Sequence, residues 1–119
     1  MGPRPEPRFK KRIPCKLTRS LSTFSGLVVD LSRRGLFVQT GAVAKTGDEI
    51  EIVLKSWKSD AVIVLNAQVR WRRKVPLQLR SVVEGGLGLQ IRYAPEPYYA
   101  MLAEASEDSF SNRRRGVSR

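Results

Sequence analysis

Apolar and polar positions alternate along most of this chain, with the two-residue period of strands rather than the longer period of helices. In "IPCKLTRS", Ile13, Cys15 and Leu17 share one face while Pro14, Lys16 and Thr18 share the other, which predicts a half-buried strand. "FSGLVVDL" and "GLFVQT" predict a second and a third, divided by Ser32-Arg33-Arg34. Gly47-Asp48 is a turn pair, and beyond it Ile50, Ile52 and Leu54 alternate with Glu49, Glu51 and Val53 in a fourth. "AVIVLNAQVRWRR" is long and β-branched, with Asn66, Gln68 and Arg70 on one face and Ala67, Val69 and Trp71 on the other. Trp71 has two readings, a stacking face near a site or the core, and sharing a strand face with Val69 favours the core. "GLGLQIRY", introduced by Gly85-Gly86, predicts a sixth strand.

Short strands at close spacing, joined by turn signals, indicate an antiparallel sandwich or a small barrel. A helix is predicted only near the end. "PEPYYAMLAEASED" begins with prolines, continues into helix formers, and lets Tyr98 or Tyr99, Leu102 and Ala105 form one apolar stripe. The expected fold is therefore mostly β: a small six-stranded antiparallel β-barrel with a C-terminal α-helix and flexible basic termini. The Pro-rich "MGPRPEP" reads as a flexible arm over residues 1–7, the barrel and helix as residues 8–106, and the polar, basic remainder as a disordered tail over 107–119.

Charge adds direction. The chain has 119 residues and a net charge of +11, from 22 Lys and Arg against 11 acids. Such a field draws polyanions and phosphates without specifying a fold. Arg4, Arg8, Lys10, Lys11, Arg12, Lys16 and Arg19 crowd the first strand and its approach, against the lone acid Glu6. The single cysteine, Cys15, excludes an intramolecular disulfide and reads as a small buried hydrophobe. No apolar run approaches the roughly 18 residues that span a bilayer, and the basic N-terminus has no apolar segment of a secretory signal. A cytoplasmic location is expected.

Catalysis and metal binding are not. The chain has no histidine, so the usual proton shuttle is missing and Cys15 has no activating imidazole. His and Cys clusters that hold transition metals are absent, as are phosphate-binding glycine loops.

Two short motifs remain. "RFKKR" places Arg8 and Arg12 just before the first strand, and "DLSRRG" places Asp30, Ser32 and Gly35 just after the second. On its own the second reads as an Asx or Ser turn, and the first as solvated charge. In this order and these contexts, the pair resembles the PilZ domain family, bacterial receptors for cyclic di-GMP, whose signature is R-x-x-x-R followed by [D/N]-x-S-x-x-G. The resemblance extends over about residues 8 to 105, taking in the strand count, the late "GGLGLQIRY" strand and the closing helix. It implies a ligand site of Arg8, Arg12, Asp30, Ser32 and Gly35, with Lys11 and Arg33 as secondary candidates inside the motifs.

The residue chemistry suits that ligand. An arginine fork binds phosphate oxygens in pairs, stacks on purines and matches guanine O6 and N7. Asp30 can accept from guanine N1 and N2, Ser32 offers a compact donor and acceptor, and Gly35 leaves room for a close approach. The segment carrying Arg8 and Arg12 is expected to order over the ligand and so alter a surface for a downstream protein. In this family such changes bear on motility, pili, exopolysaccharide and virulence. Two other readings stay open: a basic barrel that binds single-stranded nucleic acid, and a PilZ-fold module that binds proteins alone. The few aromatics speak against the first, and the complete signature against the second.

Overall fold

A computed structural model describes residues 7–57, 59–75 and 85–104. The six expected strands are all present: β1 (Ile13–Arg19), β2 (Ser22–Leu31), β3 (Gly35–Gln39), β4 (Glu49–Lys55), β5 (Val62–Arg73) and β6 (Gly86–Tyr93). They close into one antiparallel barrel in the order β1-β2-β3-β6-β5-β4. A helix, α1, occupies residues 96–104. The expected arm apart from Pro7, the basic tail, and Ala105 of the apolar stripe lie outside the described residues.

Alternation sorts the side chains as the sequence predicts over most of the barrel. Ile13, Cys15 and Leu17 of β1, Ile50, Ile52 and Leu54 of β4, and Ile63, Leu65, Ala67 and Val69 of β5 all point inward and are buried. Closure matters energetically because a six-stranded sheet left open would expose two unpaired edges. The helix covers one end of the barrel, with Tyr98, Met101 and Leu102 buried in the same core. At the other end, Asp48 accepts from Arg19 Nη1 at 2.6 Å and from the backbone N–H of Lys45 at 2.8 Å, tying β1 to the turn before β4.

Among the described residues, three register shifts interrupt the ladders, at Val28/Asp30, Asn66/Ala67 and Val69/Trp71, and the first and last of them bear on function. The β2–β3 register shifts between Val28 and Asp30. Val28 and Leu31 both face inward as a result, and Asp30 faces out opposite Phe37. The β5–β6 register shifts between Val69 and Trp71. There the expectation for Trp71 fails: its indole is on the outside and 53% exposed. A strand that gains one residue against its partner turns every later side chain to the opposite face.

Candidate ligand site

The segment before β1 is laid against the end of β2. Phe9 N–H donates to Leu31 O at 2.8 Å and Leu31 N–H donates to Phe9 O at 3.0 Å, an isolated antiparallel bridge beyond the regular β1–β2 ladder. With Phe9 held there, Arg8 reaches the outward Asp30, and its Nε lies 3.3 Å from Oδ1. The arginine side chain is 57% exposed and the aspartate 26%, so the pair is open to solvent. The expectation that this segment gains its order only over a ligand is thereby narrowed, since Phe9 already has both backbone bonds.

Arg12 goes elsewhere. It is exposed and lines a groove with Pro14, Lys55 and Trp57, on the β1–β4 side of the segment. Lys11 sits beside it with its ammonium 4.9 Å from the Trp57 ring centre, and Arg33 lies 5.2 Å from that of Tyr99 on α1. The structure therefore brings Arg8 and Asp30 together and holds Arg12, Lys11 and Arg33 on separate supports.

Ser32 and Gly35 build the wall rather than its surface. Ser32 is buried, and its Oγ accepts from the N–H groups of Arg34 and Gly35 and donates to Gly35 O, each at 3.3 Å. Its own N–H donates to Gly35 O at 2.8 Å. Those bonds form a tight turn that presents Arg33 and Arg34 outward. From α1, Tyr98 Oη–H donates to Ser32 O at 2.6 Å, and burial pushes the phenol pKa up so that it stays a donor. Gly35 pairs with Gln90 of β6. A Cβ there would stand 2.5 Å from Leu89 O of the neighbouring strand, so the clearance serves β3–β6 pairing, and its φ is not positive.

A further surface lies beside Asp30. Cross-strand register sets Asp30, Phe37, Gly88 and Trp71 in one outward row over β2, β3, β6 and β5. The Phe37 and Trp71 rings stack with centres 5.1 Å apart and planes at 19°, and the Arg73 guanidinium lies 4.7 Å from the Phe37 ring centre. Gly88 makes the stack possible, because a Cβ there would run into the indole. The sequence offered one signal for this: Gly86-x-Gly88 leaves two bare positions on one strand face, room for aromatic rings from the next strands.

The whole is a closed antiparallel barrel with a helix over one end, carrying an exposed cation–carboxylate pair beside an open indole face. The chain belongs to the PilZ domain family, whose model matches residues 3–106. A solved structure of the Bacillus subtilis inhibitor of motility, MotI/DgrA, is similar in fold, with a TM-score of 0.75 and 14% sequence identity. The alignment covers 95% of this chain and 54% of that one, so this chain spans about half the length of that protein. No protein of curated function matches the sequence. Among the described residues, no helix is long and apolar enough to cross a membrane, and no cluster of His, Cys, Asp and Glu could hold a metal ion.

Proposed function

We propose that this domain is a non-catalytic receptor for cyclic di-GMP, working in the cytoplasm and passing the signal to a downstream protein. The observation that carries the reading is Arg8 beside Asp30 on the outer barrel face, one strand from the Phe37–Trp71 stack. A guanine in this place finds a carboxylate for its N1–H and N2–H donors and an arginine for O6 and N7. The exposed indole supplies a face on which a purine can stack.

Arg8 and Arg12 have separate tasks in this reading. Arg8 exchanges a solvent-exposed partner, Asp30, for phosphate or base, an exchange that costs little because an exposed ion pair contributes only about 0–1 kcal/mol. Arg12, with Lys11 alongside, swings from its groove toward the second phosphate. Ser32 and Gly35 act through the turn they build. The bridge at Phe9 is the fulcrum, so binding orders the chain on either side of it and changes the face that Arg12 and Lys11 leave. The output is of the kind that the family controls, motility, pili, exopolysaccharide or virulence.

Isothermal titration with cyclic di-GMP is the direct test, with GMP and a short single-stranded RNA as controls. The expected result is binding at about micromolar affinity or tighter, on the order of −8 kcal/mol, with weak responses to both controls. No heat with cyclic di-GMP would overturn the reading and leave a protein-binding PilZ module; a stronger response to RNA would favour the nucleic-acid alternative.

A further inference from the structure

We propose that the outer face of β1, β4 and β5, which borders the groove that holds Arg12, pairs with the same face of a second copy of this chain. The pattern begins in β4. Its outward residues are Glu49, Glu51, Val53 and Lys55 in succession: two acids, an apolar centre, then a base. Register widens the centre, with Val53 opposite Val64 of β5 and Lys55 opposite Val62. Val62 and Val64 are 58% and 39% exposed, and Tyr93, opposite Asn66 on β6, borders them at 58%. Three of the six exposed large apolar side chains among the described residues thus gather on this face.

A strip that reads acid, apolar, base is complementary to its own reverse. A two-fold axis across the strands at Val53 sets valines on valines and Glu51 of each copy opposite Lys55 of the other. That is the self-complementarity an isologous dimer requires. Neither Glu51 nor Lys55 has a hydrogen bond or ion pair within the chain among the described residues, so both charges are available. Lys16 stands in the Val53 row and would face its own image, but its ammonium donates to Ser25 Oγ at 2.9 Å and is drawn toward β2, off the axis. The same reversal brings Leu21, fully exposed at the β1–β2 tip, toward the 510 Å³ groove lined by Pro14 and Trp57. An apolar side chain without cover in one copy thereby meets an apolar groove in the other.

The large net charge opposes any self-association, which makes the test sharp. Glu51→Lys raises the positive charge and Lys55→Glu lowers it, whereas the double exchange leaves it unchanged. Sedimentation equilibrium of the full chain at about 0.15 M salt, where charges beyond roughly 8 Å are screened, reads the dimer directly. The expected result is a concentration-dependent dimer of the 13.4 kDa chain. Each single reversal should weaken it by about 10-fold or more, since like charges then face each other, and the double exchange should restore it to within about 3-fold. Lys55→Glu is the decisive arm, because on net charge alone it would strengthen association. A strictly monomeric protein overturns the proposal, as does a dimer that the double exchange fails to restore. A monomer that binds a synthetic peptide of alternating Glu and Val, with loss of binding in Lys55→Glu, also overturns it and assigns the face to an acidic partner. All positions are exposed, and an unchanged far-ultraviolet spectrum confirms that each variant folds.

Discussion

Among the described residues, Arg8 has Asp30 as its one hydrogen-bond and ion-pair partner, through a 3.3 Å contact open to solvent, so its removal tests recognition with little effect on folding. Arg8→Ala and Arg12→Ala are each expected to weaken cyclic di-GMP binding by about 10-fold or more in titration, consistent with charge-assisted bonds of roughly 1.5–3 kcal/mol. The thermal transition should move by no more than a few degrees, as surface ion pairs contribute about 0–1 kcal/mol. If either variant unfolds, the arginine is structural. Ser32→Ala should behave oppositely. Its hydroxyl makes three bonds inside a buried turn, and losing them costs stability of about 1–3 kcal/mol, visible as a lower urea midpoint. Trp71→Ala separates the two kinds of role again: stacking on a base contributes about 1–3 kcal/mol, so affinity should fall by about 10-fold while Trp71→Phe keeps most of it. The identity of Asp30 as an outward carboxylate was legible from its motif. The direction of Trp71 was not, because one unpaired residue in β5 reverses the parity on which the alternation argument rests.

Among the elements, one buried hydrogen bond ties α1 to the β2–β3 turn, beside the Arg33–Tyr99 contact. Tyr98→Phe deletes the 2.6 Å donor to Ser32 O and leaves that carbonyl unsatisfied where water does not reach. Equilibrium denaturation should show a loss of about 1–3 kcal/mol, with affinity reduced through the loosened turn that holds Arg33 and Arg34. The strands themselves were legible almost residue by residue, since alternating burial and Gly, Asp and Ser turn signals act locally. The helix was legible from its prolines and apolar stripe, but which tyrosine is buried was decided by where α1 crosses the barrel end. The Phe9–Leu31 bridge had no local signal: two extended residues meet only because the barrel has already placed β2 beside the incoming chain.

Over the whole molecule, stability should peak on a plateau between an acid and an alkaline limb. Asp48 is held below the usual carboxylate range, first by the Lys45 backbone N–H and then by Arg19, so its contribution is present above its unfolded pKa. It is lost as pH falls through the lowered folded value. Burial pushes the Cys15 thiol up to about 11, so the folded state keeps the proton after the unfolded chain has released it. Stability therefore declines as pH rises from the ordinary thiol value of 9.0 toward about 11. Urea midpoints measured against pH check both limbs, and Cys15→Ala should make the alkaline one shallower, leaving the part due to the Tyr98 phenol that burial also raises. At pH 8 a thiol reagent should label the native protein only as fast as it opens. The +11 charge adds a last expectation, that affinity for a phosphate ligand declines as salt is raised.

Periodicity and turn residues determined, from the sequence alone, six strands and one helix, and two short motifs, through the family that they resemble, named Arg8, Arg12, Asp30, Ser32 and Gly35 as the candidate site. These properties are local, written in side-chain size and polarity every second residue. Tertiary structure decided which of those residues present chemistry and which build the surface beneath. Arg8 and Asp30 meet because Phe9 pairs with Leu31, Ser32 is consumed by its own turn, and Gly35 yields to the Leu89 carbonyl. The bulges in β2 and β5 then turn Asp30 and Trp71 onto the same outer face as Phe37. A bulge is set by the strand that it faces, and barrel closure by strands far apart in the chain, so neither is read from one strand's own residues.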